Sequence, residues 1–237
     1  CEVDVLALQE VKLGAGSVPG FVNRLNLAAA ARAAERRSAH TGFVARAAPN
    51  AAAPRSAGVI LLFRRALCQS GDFELQAEAA SDFDWGGRMV SASVKWRGHS
   101  LQVVSVYCPN AVAARKDFIG STVAAAWQRR PQCTVMMRDW NFVPSPQQDR
   151  RWRSAAQTGD PHGDAACAAA LHSAAPGAVD LWRFKHPGAK AFTFFSAANG
   201  HAARHDRAYG SVALAPYVMS CKCVPAAFSD HDMVITE

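Results

Sequence analysis

Apolar residues come in short blocks along this chain rather than in long spans. Residues 3–9 (VDVLALQ), 41–48, 58–64, 74–79, 88–96 and 101–107 read as strands, rich in Val, Leu, Ile and Phe and bounded by Gly, Pro, Asn and Ser. The break at Arg97-Gly98-His99 between two such blocks predicts a hairpin turn. Residues 133–137, 191–196, 205–211 and 232–236 continue the strand pattern. Helices are predicted over residues 21–37, 113–129 (with Pro131 just beyond) and 164–174. Residues 144–162 are polar, basic and irregular and read as a surface loop. Strands outnumber helices, and helices fall between groups of strands rather than after each one. That order favours a mixed sheet, or two packed sheets with outer helices, over a doubly wound parallel fold.

Composition changes this picture only at its edges. No composition shift marks a linker and no internal repeat is visible, so residues 1–237 read as one domain. Half the residues are hydrophobic and 19% are charged, enough to bury a sizeable core and to exclude wholesale disorder. The longest apolar run, residues 57–63, falls well short of the roughly 20 residues a membrane-crossing helix needs, so no membrane role is expected. The chain opens at Cys1, without Met and almost directly on a strand. The expectation is therefore an N-terminally truncated fragment. Seven cysteines are scattered, and only Cys221 and Cys223 are close. A lone CxC lacks the second ligand pair of a zinc site, so reduced thiols are expected. Twenty-six basic residues against 19 acidic ones give a net charge of +7, which suits a polyanionic partner but is shared by ordinary basic enzymes.

The candidate chemistry lies where apolar strands end abruptly in polar residues. Glu10 ends the first strand, Tyr107 and Asn110 the sixth, and Asp139 and Asn141 follow CTVMM; Arg204 and Asp206 sit in ARHDR, and Asp230 and His231 precede the last strand. Each has an ordinary reading as a solvated strand end, an Asx turn or a cap. Five such placements in one chain exceed what a bland surface needs, because rigid scaffolds present reactive groups on the loops at strand ends. The stretch 147–153 (QQDRRWR) gathers three Arg and a Trp. It reads either as a DNA-facing patch, with Arg150 and Arg151 on phosphates and Trp152 stacking on a base or sugar, or as a solvated loop whose Trp tucks onto the core. The histidines at 40, 99, 162, 172, 186 and 201 show no ligand spacing.

In their order LQEVK, VYCPN, RDWN, ARHDR and SDHD, these motifs resemble the exonuclease–endonuclease–phosphatase superfamily. The forms DWNFVPSPQQDR, LWRFKHPGAKAFTFFS and RHDRAYGS are most similar to the endonuclease domain of non-LTR (long interspersed) retrotransposon polyproteins. The resemblance runs from about Asp4 to Ile235. It implies a deoxyribonuclease-like four-layer α/β sandwich, two mixed β-sheets packed face to face with helices outside, here without the family's first strand. It also implies a Mg²⁺-dependent phosphodiester hydrolase, with Mn²⁺ as a substitute metal, that nicks double-stranded DNA. Phosphodiester hydrolysis needs a divalent cation on hard oxygens, an activated water and positive or hydrogen-bonding groups around the transition state.

By the resemblance, Glu10 binds the metal with Asp230 as a further ligand. Asp139 orients or deprotonates the attacking water, and Asn141 holds that Asp or the phosphate. Tyr107 and Asn110 hydrogen-bond phosphate oxygens. His231 contacts the scissile phosphate, with Asp206 fixing its ring. A reverse transcriptase domain would follow in the parent polyprotein, which would act in the nucleus. The other readings are a host abasic-site repair endonuclease and a non-catalytic relic of the fold. An inositol or lipid phosphatase is disfavoured, since ARHDR lacks the cysteine-containing signature of the 5-phosphatases. Arg138 stands where the family usually has a small residue, and His205 where it favours an apolar one.

Overall fold

Every side chain from Val59 to Phe63 is 0% exposed. A strand apolar on both faces needs cover on both, and the elements around it supply that cover. The computed structural model describes residues 3–35, 42–53, 56–77, 86–152, 162–198, 200–226 and 229–237, with the backbone alone at Arg138. The chain divides into two compact units, residues 1–107 and residues 108–237.

In chain order the first unit contains β1 (Val5–Leu8), α1 (Val18–Glu35), β2 (Phe43–Ala48), β3 (Val59–Arg64), a short α2 (Arg65–Cys68), β4 (Phe73–Leu75), β5 (Met89–Trp96) and β6 (His99–Tyr107). β3 runs antiparallel between β1 and β2, with Val5 opposite Phe63 and Phe43 opposite Arg64. β4, β5 and β6 are likewise antiparallel neighbours. β2 and β3 pack on β5, and β3 also on β6, so two sheets lie face to face around Ile60, Leu62, Met89, Val94 and Val104. Burial of each large apolar side chain is worth about 1.5–3 kcal/mol. The turn predicted between β5 and β6 is present. Arg97 (φ 47°) and Gly98 (φ 84°) are both left-handed, as a two-residue turn matching the twist of its strands requires. α1 lies on β2, where the Asn26 amide donates to the Phe43 carbonyl at 3.2 Å and accepts its N–H at 2.7 Å.

The second unit begins with α3 (Val112–Phe118), which runs through one wide π-type turn (Ile119–Val123) into α4 (Ala124–Arg129). It continues with β7 (Thr134–Asp139), α5 (Pro146–Asp149), β8 (Arg150–Arg151), α6 (Asp164–Ala174), β9 (Ala178–Asp180) and α7 (Leu181–Lys185). The last strands are β10 (Phe194–Phe195), β11 (Ala202–Ala203), β12 (Asp206–Ser211), β13 (Cys221–Val224) and β14 (Met233–Thr236). β12 pairs antiparallel with both β7 and β9; β10, β11 and β8 form a small antiparallel sheet, and β13 and β14 a ribbon. α6 packs on α3, α4 and the wide turn between them. Trp140 anchors the interior, with Phe142 and Tyr209 meeting it edge-on at 5.6 and 4.8 Å. A second cluster, Leu181, Trp182, Ala208, Ala215 and Cys221, joins α7, β12 and β13.

Several sequence expectations change here. Residues 144–162 are not wholly a surface loop: they contain α5 and β8, and Asp149 (1% exposed) and Arg150 (9%) are buried. Their polarity is answered by internal ion pairs rather than by water. The strand expected at 191–196 is regular only at Phe194–Phe195, and β9, α7 and β13 were not anticipated. The ends of the strand predicted at 74–79 and of the helix predicted at 21–37 lie outside the described residues, as do residues 153–161. The six described cysteines are free thiols. Among the described residues no helix is long and apolar enough to cross a membrane.

Candidate active site

The second unit brings four of the expected residues together. Asp139 is the last residue of β7 and stands directly opposite Asp206, the first residue of β12. Directly paired residues share a sheet face, so the register alone sets two carboxylates side by side. The chain then turns sharply, with Asn141 at φ 52°, a left-handed conformation that Asn tolerates. Its N–H donates to Asp139 Oδ1 at 2.9 Å and its Nδ2 to the Cys108 carbonyl at 2.7 Å; Cys108 N–H in turn donates to the Asp139 carbonyl at 3.0 Å. The Asx turn and the site are thus one object.

His231 reaches the same place from the loop before β14. Its Nδ1 donates to Asp206 Oδ2 at 2.7 Å, and its ring lies 5.0 Å from that of Phe194, with which it also makes a lone β-bridge. Asp206 N–H donates to Thr193 Oγ1 at 2.8 Å.

The electrostatics follow from burial and crowding. Burial pushes the Asp139 carboxyl up to about 7, and the charge of Asp206 pushes the same way; His231, the Asn141 N–H and Arg207 oppose them. Burial alone would lower the His231 pKa, but the Asp206 hydrogen bond and charge, with Asp139 and Asp230, carry it to about 9. At neutral pH the site is therefore a charged imidazolium on one carboxylate, beside a second carboxyl balanced between its two forms. Ligand atoms of Asp139, Asp206 and His231 lie within 4.8 Å of one another. His231 is protonated and spent on Asp206, so the two carboxylates are the donors left. Hard carboxylate oxygens suit a divalent cation such as Mg²⁺, which uses one or two carboxylates and keeps several waters.

Asp230 is exposed beside His231, and its carbonyl accepts the Phe195 N–H at 3.0 Å. Asn110 is exposed, and its carbonyl accepts a hydrogen bond from the buried Arg115. In the first unit the Tyr107 hydroxyl donates to Glu10 Oε1 at 2.8 Å, with Lys12 Nζ 3.8 Å from the same oxygen. Glu10 and Lys12 both sit at φ 52°, held there in part by bonds from Val11 N–H to Gly58 and from Lys12 N–H to Ala57. Such strain is a recurrent mark of functional positions.

The basic stretch divides. Arg150 is not a DNA-facing residue: it is buried and grips Asp164 with two bonds, at 2.6 and 2.8 Å. A guanidinium buried in that pair is not presented to a phosphate at the surface. Arg151 is exposed over the Phe192 ring, and Trp152 is half-buried, stacked on His162 with His201 at its edge. The side chain of Arg138 and all of Arg153 lie outside the described residues. Sequence reasoning missed Thr193 and Arg207, and it placed Arg204 at a strand end without foreseeing that it is buried. Only the ARHDR and FTFF strings could have drawn attention to them.

A family model for the Endonuclease/Exonuclease/phosphatase family matches residues 1–231. Among solved structures, the AP endonuclease LMAP of Leishmania major is similar at a TM-score of 0.69 and 18% identity, covering 97% of this chain and 76% of that one. The catalytic domain of Xenopus laevis APE2 gives 0.65 and 16%, covering 100% and 84%. The endonuclease domain of TRAS1, a telomere-specific non-LTR retrotransposon, gives 0.56 and 14%, covering 91% and 94%. No curated protein sequence matches. At these identities the likeness speaks for the fold, and the mixed α/β architecture with several sheets and helices matches that of the AP endonucleases.

Proposed function

This chain belongs to the endonuclease/exonuclease/phosphatase family, and on that premise we propose that it is a metal-dependent phosphodiester hydrolase that nicks double-stranded DNA, serving target-site cleavage for a non-LTR retrotransposon. One observation carries the reading: the Asp206–His231 bond of 2.7 Å beside a buried Asp139 whose carboxyl is lifted to about 7. A carboxyl lifted to near neutrality beside an imidazole held in its cationic form is a pairing suited to acid–base chemistry near neutral pH.

In this reading Asp139 accepts a proton from the attacking water, with Asn141 fixing its Oδ1. The water oxygen bonds to phosphorus and the P–O3′ bond breaks; the leaving 3′-oxygen takes a proton from solvent, which gives a 3′-hydroxyl and a 5′-phosphate, and Asp139 returns the proton it took to solvent. His231, kept cationic by Asp206, donates to the phosphoryl oxygens as charge builds on them. Tyr107 and Asn110 are assigned to phosphate contacts, and Arg151 and Trp152 to the flanking strand. Bound Mg²⁺, or Mn²⁺ in its place, would polarise a phosphoryl oxygen; the carboxylate oxygens of Asp139 and Asp206 are candidate ligands by their grouping, and Glu10 and Asp230 are candidates by the motifs that carry them. The retrotransposon role, with a reverse transcriptase in the same polyprotein and action in the nucleus, rests on the LWRFKHP and RHDRAYG motifs and on the likeness to the TRAS1 domain.

The test is supercoiled-plasmid nicking with Mg²⁺ against EDTA, beside cleavage of an abasic-site oligonucleotide. Mg²⁺-dependent nicking of intact plasmid, abolished by His231→Ala, is expected. Cleavage confined to the abasic site would replace the proposal with a repair endonuclease, and no cleavage of either substrate would leave a relic.

A further inference from the structure

The Asp206–His231 bond joins two segments that are far apart in sequence and do not pair with each other as strands. Asp206 opens β12, while His231 sits in the loop before β14. One buried residue touches both. Thr193 is 0% exposed. Its Oγ1 accepts the Asp206 N–H at 2.8 Å, its carbonyl accepts the Asp232 N–H at 2.6 Å, and its own N–H donates to the Ala203 carbonyl at 2.9 Å. The residues that follow continue the seam. Phe194 bridges His231, and Phe195 N–H donates to the Asp230 carbonyl at 3.0 Å. Residues 193–195 therefore act as a short splint. One side fixes the start of β12 and the other fixes the loop carrying His231.

We propose that Thr193 is a positioning residue whose hydroxyl sets Asp206 at hydrogen-bond distance from His231. The main-chain links of the splint would survive any substitution, but the link to Asp206 is a side-chain bond and needs a hydroxyl. Val has nearly the same shape and β preference but cannot accept a hydrogen bond. In Thr193→Val the Asp206 N–H loses its buried partner, and the cheapest relief is for the start of β12 to turn toward another acceptor or water. A carboxylate displaced by a fraction of an ångström no longer fixes the imidazole. Such displacement of an outer partner typically costs about 10- to 100-fold in activity.

The proposal rests on the hydrolase reading for its kinetic consequence, so the test pairs kinetics with a signal independent of activity. The 237-residue chain and its Thr193→Val and Thr193→Ser variants are assayed for Mg²⁺-dependent plasmid nicking. The Nδ1 proton of His231, shielded from exchange by its bond to Asp206, is followed as a far-downfield NMR resonance. Thr193→Val is expected to lower kcat about 10- to 100-fold with KM within about threefold, and to lose that resonance. Thr193→Ser, which keeps the oxygen, is expected to retain both within about threefold. A Val variant with unchanged kcat and an intact resonance overturns the proposal, as does a change confined to KM. If the parent chain nicks nothing, the hydrolase reading falls and the resonance alone decides: lost in Val and kept in Ser supports the positioning role, kept in Val overturns it. Should Thr193→Val not fold, Thr193→Ala takes its place with the same expected outcomes.

Discussion

Replacing Asp139 with Asn should make the protein more stable while disabling it, and the gain should depend on pH in a defined way. In the folded chain the Asp139 carboxyl titrates at about 7, against 3.8 in the absence of its surroundings. The largest cause is burial, at 7% exposure, and the second is the Asp206 charge opposite it in the ladder. A carboxyl whose pKa is raised by folding supports the fold only while protonated. Its contribution is full below about 3.8 and is lost as pH rises through about 7, because the unfolded chain ionises first. The gap of about three pH units, at about 1.36 kcal/mol each, amounts to about 4 kcal/mol at alkaline pH. Asn keeps the shape and can still accept the Asn141 N–H, but it gives up the attraction to the His231 cation. A net gain of about 2–4 kcal/mol above pH 8, and less than about 0.5 kcal/mol near pH 4, is therefore expected. Urea denaturation of both proteins in EDTA at pH 4 and pH 8.5 measures it. In parallel, nicking should fall by roughly 10²- to 10⁴-fold. A stability difference that does not grow between the two pH values would refute the electrostatic account of this carboxyl, whatever happens to the activity.

Four further outcomes follow from the geometry. Asp206→Asn removes the charge that offsets burial of the His231 ring, so the ring should titrate well below its present value of about 9 in an NMR titration, and nicking should fall at least about 10²-fold; an unmoved midpoint would count against the pairing. Tyr107→Phe removes the 2.8 Å bond to Glu10 and should slow nicking about 10- to 100-fold with little change in melting temperature; an unaffected rate would dismiss that bond as incidental. Arg150→Ala leaves Asp164 charged and buried and should cost about 3–5 kcal/mol. Arg151→Ala should change stability by less than about 0.5 kcal/mol while lowering the salt slope of DNA binding by about one; equal effects of the two on stability would undo the distinction between them.

The parts of the fold that were legible in the sequence are those where pattern and burial agree. VILLF reads as a strand and is one, Arg97-Gly98 reads as a tight turn and is one, and α6 spans the expected residues 164–174. Asp139, Asp206 and His231 were each visible as a polar residue breaking an apolar run, and the register of β7 against β12 then sets the two carboxylates opposite each other. Pattern failed where polar residues satisfy each other inside. Asp149 and Arg204, each 1% exposed, look like loop residues in a string, because hydropathy treats a charge as solvated. Their bond at 2.8 Å, and the two from Arg204 to Asp180 at 2.7 and 3.1 Å, are long-range facts that no window of neighbouring residues contains. β13 escaped for a different reason: CKCV is only 4 residues long, too short for an alternating pattern to stand out.

These interior charges bear on the partner argued from composition. Arg115, Arg150, Arg204 and Arg207 are buried, so they cannot meet a polyanion, and an Arg-rich composition by itself overstates the surface available to one. Yet the buried aspartates Asp139, Asp149 and Asp164 nearly match them in number, so almost all of the net charge of +7 is carried by other residues. The positive charge open to the proposed nucleic-acid partner is therefore nearly undiminished. Arg150 and Arg204 are bound to carboxylates. Arg207 instead donates to the carbonyls of Phe142 and Arg204, the first in the turn that follows Asp139 and the second two residues before Asp206. Its cation lies against the rings of Trp140, Phe142 and Tyr209. Arg207 thus braces the backbone on which the two carboxylates stand, and under the proposed function the attraction of a phosphate chain falls to the exposed cations and its chemistry to His231.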